Sequence, residues 1–305
     1  MKLFITGSQG MLGRNLVSLA EQRGYDVLSP SRKELDLTNQ SQLKLYLEKN
    51  KPDVVIHCAG LVGGIQANMA SPYDFCYQNL YIGLNIVQAS FDAGIKKLIN
   101  LSSAAIYPKD ATNPLSITQL FNGKFDSPNE GYSLAKLTIT KLIEFLNAQH
   151  NLSYKTYIPC NLYGYWDKFD PLNGHMIPAV INRIHSAVQY SSKELCIWGD
   201  GTTRREFMFA EDLADFILFS LNKWDEVPST LNVGYGDDYS MNEFYRTIAK
   251  VVGYKEEFTY DKSKPTGRHQ RILDTTAQQA LNWKPKTDLE AGIKNTYQFY
   301  LNEVL

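Results

Sequence analysis

Tyr132 and Lys136 are the residues of this sequence whose types and spacing best suit proton transfer. They are four apart in NEGYSLAK, a helix-like stretch, so both side chains fall on one face. A nearby ammonium favours phenolate and so lowers the pKa of a phenol, which then donates and accepts protons more readily near neutrality. Ser103 ends an earlier strand-like stretch and could hydrogen-bond the same reacting oxygen. Alone, the pair would indicate only an exposed helix, so the prediction depends on what surrounds it.

A phosphate-binding turn at the start of the chain supplies that context. Lys2–Thr6 reads as a buried strand, Asn15–Glu21 as a helix, and Gly7, Gly10 and Gly13 lie between them. Free N–H groups and the dipole at a helix N-terminus attract an anion. The glycines allow the tight turn, the close approach of a pyrophosphate and the packing of helix on strand. The alternative is a glycine turn that only connects strand to helix.

The end of the second predicted strand, Tyr25–Leu28, indicates which dinucleotide is bound. An acidic residue there would bind the 2′-hydroxyl of NAD. The chain instead has Ser29, Ser31 and Arg32, and hydroxyls with a guanidinium suit the 2′-phosphate of NADP. The alternative is that Arg32 is a solvated loop cation.

Composition narrows the class of protein. The chain has 305 residues, 44% of them hydrophobic, and a net charge of about −1, so we expect a large core and no nucleic-acid partner. Apolar stretches are only strand-length, and the glycine turn interrupts any signal-peptide pattern, so we expect no membrane contact. Four scattered cysteines without zinc spacing predict reduced thiols, no metal site and a cytoplasmic protein.

The remaining pattern alternates strands and helices. Further strands are predicted at Pro52–Cys58, Lys97–Ser102, Tyr154–Pro159 and Thr230–Val233. Helices are predicted at Ser41–Asn50, Ser71–Ala93 and Ser240–Val252, the last with Ser240 as its cap. Paired arginines follow Trp198 in WGDGTTRRE, read as a loop, and their planar guanidinium groups suit a diphosphate. This order predicts an α/β fold with a doubly wound parallel sheet.

The motifs together resemble those of extended short-chain dehydrogenase/reductases. Stretches such as GLVGGIQANMASPYDFCYQN, SSAAIYP, NLYG, GHMIPAVINRIH and WGDGTTRREF resemble the GDP-L-fucose synthase family within that group, over nearly the whole chain. The resemblance implies a modified Rossmann fold with a smaller C-terminal substrate lobe. It places residues 1–162 and about 207–234 in the dinucleotide-binding domain, and 163–206 and about 235–305 in the sugar-nucleotide domain.

The same resemblance implies roles for individual residues. Ser103 would polarise the C4 carbonyl of a GDP-linked 4-keto sugar, Tyr132 would protonate its oxygen as NADPH supplies hydride, and Lys136 would hold the nicotinamide ribose. The implied coenzyme-binding residues are Gly7, Gly10, Met11, Leu12, Gly13, Arg32, Asp36, Leu37, Ala59, Gly60, Lys136, Pro159 and Leu162. The implied substrate-binding residues are Ala105, Asn161, His175, Arg183, Trp198, Arg205 and Lys264, although helix surface and core packing would explain Arg183 and Trp198 without the family.

One residue departs from the family pattern. The family epimerises its sugar with a cysteine before I-Y-P and a histidine before I-P. The chain has His175, which we count with the catalytic residues, but Ala105 occupies the cysteine position. Cys160 could stand in, although a buried packing role suits it better.

We therefore expect an NADPH-dependent C4 reductase of a 4-keto-6-deoxy nucleotide sugar that does not epimerise C3 and C5. The alternatives are a bifunctional 3,5-epimerase/4-reductase and a non-catalytic dinucleotide-binding regulatory protein. Related enzymes pair through two long helices, here near Ser71–Ala93 and Gly131–His150, so a homodimer is expected.

Overall fold

Thirteen short strands appear in the computed structural model, which describes residues 1–171, 174–191, 194–264 and 267–305. The strands are β1 (Lys2–Thr6), β2 (Asp26–Leu28), β3 (Val54–His57), β4 (Lys97–Leu101), β5 (Lys155–Pro159), β6 (Asn161–Tyr163), β7 (Leu195–Trp198), β8 (Arg204–Arg205), β9 (Phe207–Phe209), β10 (Thr230–Val233), β11 (Tyr239–Ser240), β12 (Phe258–Asp261) and β13 (Gln270–Arg271). The stretch predicted as a loop after Trp198 thus contains β8, which forms because it pairs with both β11 and β13.

Ten α-helices connect these strands. They are α1 (Met11–Gln22), α2 (Gln40–Asn50), α3 (Ile65–Ala70), α4 (Pro72–Asp92), α5 (Glu130–His150), α6 (Met176–Gln189), α7 (Ala210–Leu221), α8 (Met241–Val252), α9 (Thr276–Gln279) and α10 (Leu289–Glu303). Helix α8 begins with the predicted Ser240 cap, whose hydroxyl accepts the Glu243 N–H in a full capping box. Short 3₁₀ turns lie at Ala104–Ile106, Ile117–Gln119 and Ser127–Asn129.

A six-stranded parallel sheet of order β10-β5-β4-β3-β1-β2 forms the centre of the molecule. Neighbouring residues of β1 pack into different cores: Leu3 and Ile5 on the side of α1 and α7, and Phe4 on the side of α2, α4 and α5. Both faces are therefore covered by helices, as parallel sheets require. The predicted α/β fold with a doubly wound parallel sheet is confirmed.

A separate hydrophobic cluster packs α6, α8 and α10 around residues such as Ile181, Phe244 and Ile293. Its members come mainly from after residue 162, whereas α7 and β10 pack with the central sheet. The two-lobe division, with its boundary near Leu162 and a return to the first lobe over about 207–234, stays a prediction, and Phe207 and Phe209 at the start of that return pack in the second cluster.

Two further findings bear on the sequence predictions. All four cysteines are free thiols, as predicted. In the ranges that the structure describes, no helix combines the length and the apolar character needed to cross a bilayer.

Candidate active site

The glycine turn has the geometry of an anion cradle. Gly7 has φ +70°, and a Cβ there would lie 2.6 Å from the Ala59 nitrogen, so only glycine fits. A Cβ on Gly13 would lie 2.0 Å from the Gly7 carbonyl oxygen, which explains the close packing of α1 on the turn. Gly10 has ordinary dihedral angles, and no side chain caps the helix that it begins. With Met11 and Leu12 in the first turn of α1, the uncapped N–H groups are left for a ligand.

The loop that follows β3, residues 58–64, lies beside the predicted reaction centre. The Asn79 side chain, from α4, accepts from the Leu61 N–H at 3.0 Å and donates to the Leu61 carbonyl at 3.1 Å. A Cβ added to Gly60 would lie 2.9 Å from Asn79 Oδ1 and 3.5 Å from Lys136 Nζ. Ala59, Gly60 and Lys136 are therefore neighbours, as the sequence interpretation required. The sequence analysis gave Asn79 no role, although its side chain holds this loop in place through two hydrogen bonds.

Ser103, Tyr132 and Lys136 come together at the carboxyl end of β4. Lys136 Nζ donates to the Leu101 carbonyl at 2.9 Å and lies 5.9 Å from the centre of the Tyr132 ring. Ser103 caps the 3₁₀ turn that follows β4, and its side chain hydrogen-bonds to Tyr132. The residues predicted to form the reductive centre thus share one site.

The predicted direction of the Tyr132 pKa shift was wrong. Burial raises the pKa of Tyr132 to about 12, although hydrogen bonding to Ser103 lowers it in part. Burial also lowers the pKa of Lys136 to about 8, because the surroundings disfavour its charge. The spacing of the two residues gives no measure of desolvation, so the sequence could not show which effect dominates. The phenol stays protonated near neutral pH and can donate.

At the other end of the proposed dinucleotide site, Arg32 is exposed just beyond β2. The Ser8 hydroxyl donates to the Ser29 carbonyl at 3.1 Å, which joins this loop to the glycine turn. Asp36 accepts from the N–H and the hydroxyl of Thr38, so its carboxylate shapes its own loop. Leu37 is half-buried beside the sheet. Pro159 is the last residue of β5, at the carboxyl edge of the central sheet. Leu162 follows in β6, which pairs with β9 in a separate two-stranded sheet.

Three guanidinium groups meet in the part of the chain after residue 200. Strand pairing sets Arg271 of β13 directly beside Arg205 of β8. Burial, with the charges of Arg271 and Arg268, lowers the pKa of Arg205 to about 10. Arg268 Nη1 and Arg271 Nε are buried and make no hydrogen bond within the described chain. Buried cationic donors without acceptors indicate a site for an anion.

The comparisons with known proteins now give the family. Residues 3–234 match the model of the NAD dependent epimerase/dehydratase family. The chain belongs to this family. It is 47% identical to the GDP-L-colitose synthase of Yersinia pseudotuberculosis over 99% of each chain, and 45% identical to the GDP-L-fucose synthase of Azorhizobium caulinodans over 99% of this chain and 98% of that one.

Solved structures of the same kind extend the comparison. A GDP-mannoheptose C4 reductase from Campylobacter jejuni with NADP bound superposes with a TM-score of 0.89 at 31% identity. It is matched over 98% of its length and over 99% of this chain. A GDP-6-OMe-4-keto-L-xylo-heptose reductase from C. jejuni gives a TM-score of 0.91 at 30% identity with the same coverage.

Within this member of the epimerase/dehydratase family, the predicted substrate residues lie in several places. Trp198 ends β7 and is 53% exposed, with Lys264 Nζ 5.8 Å from its ring centre. Arg183 donates to the Tyr245 hydroxyl at 3.3 Å and to the Cys196 carbonyl at 3.0 Å. Those contacts tie α6 to β7 and α8 and support a packing role, so substrate binding by Arg183 stays a prediction.

Epimerisation would need proton carriers at the positions of Ala105, His175 or Cys160. Ala105 lies in the 3₁₀ turn after Ser103, and its carbonyl accepts from the Ser133 hydroxyl at 2.9 Å. His175 immediately precedes α6, with Nδ1 3.3 Å from Asp167 Oδ1. Cys160 is buried, and burial holds its thiol pKa well above the usual value. Asn161 follows it and donates to the Glu206 carbonyl at 3.1 Å. Cys160 is therefore a packing residue and a poor proton carrier.

Proposed function

We propose that this chain is an NADPH-dependent C4 reductase of a GDP-linked 4-keto-6-deoxy sugar, and that it does not invert C3 or C5. The observation that carries the proposal is the complete group of Ser103, Tyr132 and Lys136 with Ala105 beside it. Tyr132 donates a proton to the C4 oxygen, Ser103 polarises the carbonyl, and Lys136 supports the ribose. The bound coenzyme supplies the hydride.

The coenzyme end of the cleft fits NADP(H). The uncapped start of α1 suits a pyrophosphate, and a related C4 reductase was solved with NADP bound. We assign the 2′-phosphate to Arg32 and the hydroxyls of Ser29 and Ser31, in a turn where the Glu34 carboxylate accepts the Ser31 N–H at 2.7 Å.

Replacing Arg32 with alanine tests this assignment. We expect Arg32→Ala to weaken NADPH binding and leave NADH binding unchanged, with turnover at saturating NADPH little altered. The ratio of kcat/KM for the two coenzymes measures the effect, and Arg246→Ala on the exposed face of α8 is the matched control. Equal kcat/KM values for NADPH and NADH in the unmodified enzyme would contradict the proposal.

The sugar-nucleotide end rests on the arginine group and the relatives. Arg268 and Arg271 offer buried donor atoms to a diphosphate, and Arg205 adds a third positive charge beside them. Two relatives at 47% and 45% identity are named for GDP-linked sugars, which supports guanine as the base. Trp198 with Lys264 forms an exposed platform at the end of β7, which we assign to the same ligand.

We expect no inversion at C3 and C5 because too few side chains are available to carry protons. Inversion next to a ketone needs an acid and a base on opposite faces of the ring. Ala105 carries no proton, and the raised pKa of Cys160 keeps that thiol neutral. His175 is the single carrier left among the predicted residues. The alternative, a bifunctional epimerase/reductase, is favoured by the names of the two relatives, so a direct test is needed.

The stereochemistry of the product tests the proposal. The enzyme is incubated with GDP-4-keto-6-deoxymannose in D₂O, NADPH is added, and the product is examined by NMR beside a no-enzyme control. We expect reduction at C4 with C3 and C5 retained, and at most exchange of one proton by His175. A product inverted at C3 and C5 would establish the bifunctional reading, and Cys160→Ala would then be examined.

A gain-of-function variant complements this experiment. In Ala105→Cys a thiol is restored beside Ser103, so some inversion is expected to appear while C4 reduction continues. Ala104→Cys, one residue earlier in the same 3₁₀ turn, is the matched control.

We also propose a homodimer formed through α4 and α5. Tyr73, Tyr77 and Tyr81 stack along α4 at ring distances of 5.6 and 5.7 Å and are 71, 49 and 40% exposed. Phe145 on the adjoining helix α5 is 60% exposed. Exposed aromatic side chains on two adjoining helices support burial against a second copy. The four free cysteines support a cytoplasmic location.

A further inference from the structure

Asp167 is a buried carboxylate held against the one histidine of the proposed cleft. Its side chain is only 3% exposed, whereas that of His175 is 39% exposed. Oδ1 accepts the Lys168 N–H at 2.7 Å and lies 3.3 Å from His175 Nδ1. Oδ2 is buried and has no hydrogen-bond partner among the described residues. A carboxylate buried with an oxygen unpaired is costly, so its position needs a reason.

The backbone that carries Asp167 is fixed from both lobes. Trp166 has φ +61°, a left-handed conformation that is uncommon for a bulky residue. Its ring packs edge-on against Phe299 of α10 at 5.6 Å. The preceding residue, Tyr165, packs on Phe209, and its carbonyl accepts from Asn15 of α1 at 3.3 Å. The turn is therefore anchored to the coenzyme-binding helix and to the second hydrophobic cluster.

We infer that Asp167 is a positioning residue that holds the proton on His175 Nδ1 and leaves Nε2 as the ring nitrogen that faces the substrate. An ionised carboxylate only accepts hydrogen bonds, so the contact requires the proton on Nδ1. Fixing the tautomer through a buried carboxylate is a general way to prepare a histidine for proton transfer. The inference rests on the proposed function for the identity of the substrate, but not for the state of the histidine.

The charges around His175 predict how its pKa responds. Hydrogen bonding to Asp167 raises the pKa of His175, while burial and the neighbouring Lys168 cation lower it. Asp170 lies 3.9 Å from the Lys168 ammonium and moderates that cation. Removing the Asp167 charge should therefore lower the pKa, and removing the Lys168 charge should raise it. A carboxylate that made no contact with the imidazole would leave the His175 pKa unchanged when it was removed.

NMR of the substrate-free enzyme tests the inference. The chain has five histidines, so the His175 signal is assigned by its loss in His175→Gln. In the unmodified enzyme, long-range ¹H–¹⁵N spectra at high pH should show the Nδ1–H tautomer. In Asp167→Asn the His175 pKa should fall and the tautomer should become mixed. In Lys168→Gln, the matched control of opposite sign, the pKa should rise.

Kinetic measurements test whether the tautomer of His175 affects proton transfer to the substrate. In D₂O without NADPH, Asp167→Asn should slow His175-dependent exchange of a substrate proton at least about tenfold, within the range of general acid–base effects. The limb of its pH profile should move to lower pH, with KM little changed. Melting temperature and NADPH affinity report whether the variant is folded.

The outcomes separate the two proposals. An Nε2–H tautomer in the unmodified enzyme, or an unchanged His175 pKa in a folded Asp167→Asn variant, would overturn the role of Asp167. The tautomer is read in the unmodified enzyme and needs only His175→Gln for its assignment, so it decides even if Asp167→Asn does not fold. Neither NMR result depends on the sugar or on inversion, so a failure of the proposed reductase would leave this test intact.

Discussion

Replacing Tyr132 with phenylalanine is expected to slow reduction roughly 10²- to 10⁴-fold, the usual contribution of a general acid. The phenylalanine ring keeps the shape beside Lys136, so NADPH binding should be retained. The loss should appear in kcat and in kcat/KM together, because the donated proton matters in the transition state. NADPH oxidation followed at saturating GDP-4-keto-6-deoxymannose measures the effect.

The pH dependence of the unmodified enzyme is a second test of the same assignment. Burial raises the pKa of Tyr132 to about 12, so the phenol stays protonated through the neutral range. The pKa of Lys136 is lowered to about 8, so its ammonium is lost as pH rises through that value. Reduction should therefore decline on the alkaline side of about pH 8.

Tyr190→Phe is the matched control for this variant. Tyr190 is 84% exposed at the end of α6, so removing its hydroxyl should leave turnover unchanged. Near wild-type turnover in Tyr132→Phe, with coenzyme binding intact, would show that another group donates the proton.

The glycine turn and the reductive residues could be predicted from sequence because each is local. Gly7, Gly10 and Gly13 occupy fixed places in one turn, and Tyr132 with Lys136 shares one helix face. The strand pattern also sufficed for the sheet, because buried parallel strands are continuous hydrophobic stretches. The sign of the Tyr132 pKa shift could not be predicted, because it depends on burial by distant segments.

Contacts between distant short segments were beyond the sequence. Arg271 lies beside Arg205 only because β13 and β8, each two residues long, pair in parallel. No hydrophobic periodicity marks strands of that length. Asp167 was likewise missed, since it reaches His175 through a turn fixed by Trp166 and by contacts with α1 and α10. The available signal in the sequence was an aspartate eight residues before a candidate histidine.

The second large effect is expected from Arg271. Arg271→Met keeps an extended side chain but removes the charge beside Arg205. A hydrogen bond to a charged group contributes about 1.5–3 kcal/mol, so affinity for the diphosphate should fall roughly 10- to 150-fold. The diphosphate does not react, so the loss should raise KM and leave kcat largely unchanged.

Calorimetric titration with GDP measures the Arg271 effect without knowledge of the sugar. NADPH affinity should stay constant, because β13 pairs with β8 in a sheet separate from the one that carries the glycine turn. Arg246→Met, on the exposed face of α8, is the control and should bind GDP normally. Because Arg268 and Arg271 place two further positive charges beside Arg205, GDP affinity should also weaken steeply with added salt in the unmodified enzyme. Unchanged GDP affinity in Arg271→Met would remove Arg271 from the site and leave Arg205 and Arg268 as the cations to examine.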